Sequence, residues 1–449
     1  MKLTKLFGYI IIMAICSNVI YSQTKVTLRD AITSAYKNNP AIQKNLDLIE
    51  SEDYYIHTAY GNLFPTLSFS TGYQRTNQVG TLTTNVNGVP VNTGIGTNQT
   101  YNNYNMTLRS DVTLFNGFNN YDQINIDKAI RTRYIILNEA SKQDIVVKIL
   151  SDYTTILKNQ KIVQVDSATL EDSRAQLEAI KIFVEVGTKT QSDIYKQDVV
   201  VAQNELATEQ ARNNLDKSIA DLAFDSNLPQ NRTYTVDSTE FNVNISNDEL
   251  ERYVETHSDP DPLINTALRN RNDYRASLQN ISVLQSNVEL ARSSLLFPTL
   301  TGFGTYQMSA QNIKDLTNSR VFTLGLTLTY QIFEGFSVEN QREQAIINVR
   351  SANEDVKLIR DQIAVNIKKA QLDLKSLVKQ IVITDRSLRS AEQDRITAQE
   401  LYNVGRGTLL EVNTAATNYN NALINKLTLI YNFIFAQKQL EYYQGLLKY

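Results

Sequence analysis

The chain has 449 residues, 42% hydrophobic and 20% charged, a composition that excludes intrinsic disorder and permits several ordinary domains or one long built-up structure. A net charge of −3 with no basic block excludes a conventional nucleic-acid-binding surface. Two histidines, His57 and His257, and one cysteine, Cys16, are too few for a His/Cys metal centre.

Residues 1–22 have the grammar of a signal peptide. Lys2 and Lys5 supply charge, LFGYIIIMAIC supplies a short apolar core, and Ser22 places a small residue before Gln23. The apolar run is shorter than the ~20 residues of a spanning helix. Ile15 disfavours lipid modification at Cys16, because lipoprotein sites need a small residue before the cysteine. Cleavage after Ser22 leaves a chain without cysteine.

A first repeat is expected over 23–225. It opens with a helical entry segment, roughly 27–60, which Pro65 stops. Two strands follow, near 66–76 and 103–115. Leu67, Phe69, Thr71 and Tyr73 alternate with Ser68, Ser70, Gly72 and Gln74. Met106, Leu108 and Val112 alternate with Thr107, Arg109 and Asp111. Between the strands, 77–100 is rich in Asn, Thr and Gly and carries no charge, which is loop composition.

Past LFNGF at 114–118, the 69 residues between Gly117 and Gly187 hold neither Gly nor Pro. One long helix to 186 is expected, reaching ~100 Å if unbroken, with 166–167 the place for a kink. Gly187 suits a left-handed helix end, and Thr190 with Asp193 spells a capping box. A return helix then runs to 225. Segment 226–260 contains Pro229, the β-prone RTYTVDSTEFNVNI and DPDP.

The second repeat, 261–449, restates the first. LFPTL at 63–67 returns at 296–300, LFNGF returns as IFEGF at 332–336, and EVGTKT at 185–190 returns as NVGRGT at 403–408. Gly117 to Gly335 and Gly187 to Gly405 both span 218 residues, whereas LFPTL moves by 233, so the first copy carries 15 extra residues between its strands. The entry helix (261–294) is stopped by Pro298. Strands are expected near 299–309 and 321–333, with Leu324, Leu326 and Leu328 opposed to Thr323, Gly325 and Thr327. Phe303 falls on the polar face. The helix to 404 shows apolar residues at Val356, Ile359, Ile363, Ile367, Ala370, Leu374, Leu377 and Ile381, a coiled-coil rhythm. Gly405, then Thr408 with Glu411, turns it into a second return helix.

Period-two strands suit a water-soluble sandwich or a membrane barrel. Aromatics at the ends of the apolar face (Phe64, Phe115, Phe297, Phe333) and a Ser/Thr/Gly/Asn/Gln face favour the barrel. Four strands cannot close one, since the smallest spanning barrels have eight, and open edges in lipid cost several kcal/mol per unpaired group. The chain is therefore expected to share a barrel with copies of itself.

This duplicated pattern resembles the TolC family of outer-membrane efflux and secretion channels. The entry DAITSAYKNNPAI (30–42), both LFPTL stretches, LFNGF and IFEGF, and the tips 186–190 and 404–408 carry the resemblance, from about residue 25 to the C-terminus. It implies a fold that is mainly α with membrane β: a homotrimer with a shared 12-stranded barrel, four strands per protomer, continued by a long periplasmic α-helical barrel. It places 226–260 in an equatorial region. The implied function is a passive conduit in the outer membrane of a Gram-negative bacterium, serving tripartite efflux or type I secretion. The implied partners are outer-membrane lipid, a periplasmic adaptor and an RND, ABC or MFS transporter. In the family the periplasmic tips close through polar links. Tyr402 matches the gate tyrosine. Gly407 stands at the arginine position with Arg406 beside it. Glu411 and Thr414 stand at two aspartate positions, and Lys189 and Asp193 are the counterparts in the first copy. A simple pair of capping boxes is the alternative reading of the same residues. Pro65, Gly117, Pro298 and Gly335 mark the strand–helix junctions.

No nucleophile motif, phosphate loop or cofactor signature occurs, so no catalytic, cofactor or metal site is expected. The competing function is a periplasmic coiled-coil adaptor or structural protein, which explains the helices but not the strands.

Overall fold

The computed structural model describes residues 24–448 except 87, 238 and 240, so the proposed signal peptide lies outside the described residues. Strand β1 (Thr24–Val26) pairs in parallel with β4 (Tyr234–Val236). Thr27 caps α1 (Leu28–Asn38) through a capping box with Asp30. The expected single entry helix is two helices. Asn39 is extended (ψ 125°) because a residue preceding proline is barred from the helical region, and α2 begins at that proline (Pro40–Gly61).

Strands β2 (Thr66–Val86) and β3 (Val89–Phe115) form one long antiparallel hairpin. The 77–100 segment is thus largely strand, contrary to its loop-like composition. Val86 pairs with Val89, leaving the sequence Asn-Gly between them, the favoured pair for a two-residue hairpin turn, and Gly88 has φ 83°. Backbone pairing between two strands needs no buried face, so an Asn/Thr-rich ribbon can form it.

Helix α3 (Asn119–Glu185) runs 67 residues without a break at 166–167. Helix α4 (Gln191–Asp225) returns, followed by β4 and α5 (Asn247–Thr256). In the second copy α6 (Pro260–Asn270) and α7 (Asn272–Leu296) are split at Arg271 (ψ 124°), a break with no proline to announce it. Strands β5 (Thr299–Ala310) and β6 (Arg320–Thr329) are joined by a 3-10 turn, Ile313–Asn318. β6 stops four residues short of the expected 333. Its last residue, Thr329, pairs with Thr299, and before Thr299 stands Pro298, which has no N–H to offer. Helices α8 (Ser337–Asn403) and α9 (Leu409–Tyr443) complete the copy. Helices α3 and α8 are both 67 residues long, and α4 and α9 both 35, each pair offset by 218.

The chain forms two compact units. One comprises Leu48–Tyr134 and Ser277–Asp355 and holds the four-stranded sheet, in the order β2-β3-β5-β6. The other holds the helical cores. One of these packs Ile149, Leu150, Tyr153, Ile156 and Leu157 of α3 against Val26, Leu222, Tyr234 and Ile434. Tyr153 is fully buried, and its hydroxyl donates to the Asp237 carbonyl (2.8 Å) and accepts from the Asp237 N–H (3.0 Å), anchoring the segment after β4. Another buries Ala370, Leu374, Val378 and Ile381 of α8 against Phe433 and Leu440 of α9.

Candidate functional site

Two regions carry the functional geometry: the sheet and the helical tips. In the sheet, the register sorts side chains onto two faces. Phe69, Leu108, Tyr306 and Phe322 lie in one row across the four strands; Ser68, Arg109, Thr305 and Thr323 lie in the adjacent row, on the other face. The apolar face is bare. Leu324 and Leu326 are each 71% exposed, and Leu67, Phe69 and Leu328 are also exposed. Covering it with hydrocarbon would recover roughly 25 cal/mol per Å² of apolar surface. The outer edges of β2 and β6 have no strand beside them among the described residues.

The strand–helix junctions are tight. Gly117 (φ 69°) and Gly335 (φ 62°) are each followed by a phenylalanine that is also left-handed, Phe118 (φ 71°) and Phe336 (φ 65°). Two consecutive residues in that region reverse the chain from strand into helix. A bulge between Thr113 and Phe115 turns Phe115 toward Leu300, and Phe115, Phe118 and Phe297 form a cluster of edge-to-face rings with centroids 5.4–6.2 Å apart. Pro65 and Pro298 precede β2 and β5 directly.

At the tips, both long helices end in the same motif. Gly187 (φ 76°) and Gly405 (φ 77°) occupy the left-handed position. The N–H of Thr188 reaches the Phe183 carbonyl (2.8 Å), and that of Arg406 reaches the Leu401 carbonyl (2.9 Å). The N–H of Thr190 donates to Asp193 Oδ2 (3.1 Å) and that of Thr408 to Glu411 Oε2 (2.7 Å). These bonds, the backbone one first, hold both carboxyls below their usual range.

Tyr402 is buried with Ile180, Leu409 and Val412. Lys189 Nζ lies 4.3 Å from the Tyr402 ring centroid, so the first tip is laid on the second. The Tyr402 hydroxyl is buried without a hydrogen-bond partner among the described residues. Its pKa is raised, by burial first and then by Asp193. Arg406 is exposed and does not meet that hydroxyl. At Gly407, where the resemblance places an arginine, an added Cβ would stand 3.0 Å from the Tyr402 backbone nitrogen, a tight approach that the backbone at this tip must shift to accept. Lys189, Asp193 and Tyr402 thus form one group, while Glu411 serves its own helix end.

One polar member of the tip packing escapes the sequence reading. Gln197 is 1% exposed; its amide donates to the Ser173 carbonyl (3.1 Å) and accepts from Asn413 Nδ2 (3.2 Å), linking α3, α4 and α9. The signal was its place between the apolar Ile194 and Val201, three and four residues away on the same helix face. Asp152 of α3, beside Asp225 at the end of α4, also escaped, because a carboxylate on a helix reads as solvated. Among the described residues no cluster could hold a metal ion.

No curated protein sequence matches the chain. Solved structures do. The CmeC outer membrane channel of Campylobacter jejuni aligns with TM-score 0.73 at 17% identity, over 93% of this chain and 85% of that one. A membrane protein from Pseudomonas aeruginosa aligns with TM-score 0.73 at 15% identity, over 93% and 92%. The outer membrane protein VceC of Vibrio cholerae aligns with TM-score 0.71 at 15% identity, over 93% and 96%. These likenesses fix the fold as that of TolC-type channels and leave the coiled-coil adaptor reading without support. The outer membrane efflux protein family matches residues 31–224 and 263–446, the two copies in turn, and the chain therefore belongs to that family of outer-membrane channels.

Proposed function

We propose that three copies of the chain join their sheets edge to edge into a twelve-stranded barrel in the outer membrane. The observation that carries this is a four-stranded sheet with two open edges and one bare apolar face. Hydrocarbon cannot satisfy an open edge, so further strands must. The Arg/Ser/Thr face then lines a watery lumen, and an eight-stranded dimer would leave no such lumen because side chains fill it. The helices continue the conduit into the periplasm, with the tips as the entrance. A periplasmic adaptor and an RND, ABC or MFS pump supply recruitment and energy, in drug efflux or type I secretion. Residues 1–22 are removed as a signal peptide, the repeats span 23–225 and 261–449, and 226–260 contributes an equatorial collar. The resemblance to a channel, together with the absence of a catalytic signature in the sequence, supports a non-enzymatic conduit.

The test is the mass of the detergent-purified particle by light scattering, with heated and unheated gel migration and outer-membrane fractionation. A heat-sensitive trimer in the outer membrane is expected. A monodisperse monomer that still inserts and conducts would refute the shared barrel.

A further inference from the structure

On the polar face of the sheet, which also carries Val321 and Tyr101, a phenylalanine stands in the row next to the one that holds Arg109. Phe303 of β5 lies between Asp111 of β3 and Gly325 of β6 in a single cross-strand row. The ring fills the space that Gly325 leaves: a Cβ there would stand 2.5 Å from Phe303 Cζ. Arg109, in the adjacent row, places its guanidinium 5.2 Å from the ring centroid. The guanidinium is held by Asp111 through Nε–H to Oδ2 at 2.7 Å and Nη2–H to Oδ1 at 2.5 Å. Both charged side chains stay open, 47% and 40% exposed.

The group therefore offers an aromatic ring seated on a glycine, a guanidinium over that ring, and no net charge. Lumen walls built only of Ser, Thr and Asn bind water and pass solutes without preference. A ring held over a glycine by a paired arginine does something different, because it gives a flat π-surface somewhere to stack at little cost in side-chain ordering. We propose that Phe303 with the Arg109–Asp111 pair is a contact site for flat aromatic solutes crossing the barrel, repeated once per protomer. This rests on the shared-barrel reading, which makes that face the lumen.

The experiment records single channels of the purified trimer in planar bilayers, with proflavine, a flat aromatic cation, added at the barrel mouth. Tetraethylammonium, of the same charge without an aromatic surface, is the control. In Phe303→Ser the proflavine concentration for half block should rise about fivefold, the worth of one stacked pair, with tetraethylammonium unchanged. Phe303→Tyr, which keeps the ring face, should restore block to within about twofold. Gly325→Ala displaces the ring without removing it and should weaken proflavine block in the same sense; it also carries the comparison should Phe303→Ser fail to assemble. Equal proflavine block in wild type and these variants overturns the inference, as does a shift of both blockers together. A wild-type protein that forms no trimeric channel overturns the barrel reading, and this site with it.

Discussion

Lys189 of the first tip lies on Tyr402 of the second, ammonium to ring centroid 4.3 Å, across a separation of 213 residues in the chain. The two helix hairpins of one protomer are thus tied at their tips by a cation–π contact of about 0.5–1 kcal/mol at a partly exposed site. The tyrosine hydroxyl beneath it is buried and unpartnered among the described residues.

If this contact holds the entrance closed, Lys189→Gln should raise single-channel conductance while the trimer persists on unheated gels. Tyr402→Phe keeps the ring and removes an unsatisfied group that costs ~1–3 kcal/mol when buried. It should leave conductance unchanged and melt no earlier than wild type. Tyr402→Leu should behave like Lys189→Gln. A conductance rise in Tyr402→Phe would mean that the hydroxyl meets a partner across a protomer boundary, as in the family's latch, and that the ring contact is secondary.

Gly117 and Gly335 test how far the two copies are equivalent. Both are left-handed, so alanine at either costs about 1 kcal/mol of backbone strain. At Gly117, however, a Cβ would stand 2.8 Å from Phe297 Cβ and 3.0 Å from the Ser293 carbonyl, whereas at Gly335 nothing lies within 4 Å. Gly117→Ala should therefore lower the melting temperature clearly more than Gly335→Ala. Equal losses would show that the first junction relaxes around the methyl group.

The sheet faces predict opposite responses to charge at adjacent residues. Leu326 pairs with Gly302 on the apolar face and Thr327 with Thr301 on the polar face. Leu326→Arg should cost ~2–4 kcal/mol near the membrane midplane and deplete the trimer. Thr327→Arg should assemble normally and shift ion preference toward anions. Equal assembly of the two variants would mean that the bare leucine face is covered by something other than lipid.

The long helices were legible because two 69-residue runs lack Gly and Pro, and the tips because Gly187 and Gly405 precede hydroxyl–carboxylate boxes at matched spacing. The β2–β3 hairpin was half legible. The alternation of 66–76 is plain, but beyond Thr76 the sequence turns rich in Asn, Thr and Gly without charge, and composition alone points to a loop. Pro40 could have announced the break at Asn39, yet nothing in the sequence announces the equivalent break at Arg271. Contacts such as Lys189 with Tyr402, or Gln197 with Asn413, join residues more than 200 apart and leave no mark in local periodicity. The apolar faces are read from their own spacing; which polar residue meets which is settled only by packing.

The pH dependence of the helical unit should be set by Asp152. Burial, reinforced by a hydrogen bond and repulsion from neighbouring Asp225 and by Asp221, raises its pKa to about 8, with Lys148 opposing. Lys148 is itself engaged with Asp225 at 2.7 Å. One Asp152 oxygen is buried without a partner among the described residues. A carboxyl whose folded pKa is raised above its unfolded value near 3.8 favours the fold while protonated. Its contribution is complete below the unfolded pKa, declines as pH rises, and is gone above about 8. Stability should accordingly fall from about pH 4 to about pH 8 and level off above the folded pKa, a window that lies below ordinary tyrosine and lysine ionisation. Asp152→Asn keeps the shape and hydrogen bonding of the neutral acid without its titration. It should flatten the melting-temperature profile over that interval and make the variant the more stable protein at pH 9. Lys148→Met removes the opposing charge and should carry the decline to higher pH. Parallel profiles for wild type and Asp152→Asn would show that Asp152 is hydrated and ionised at neutral pH, with Lys148 compensating both carboxylates.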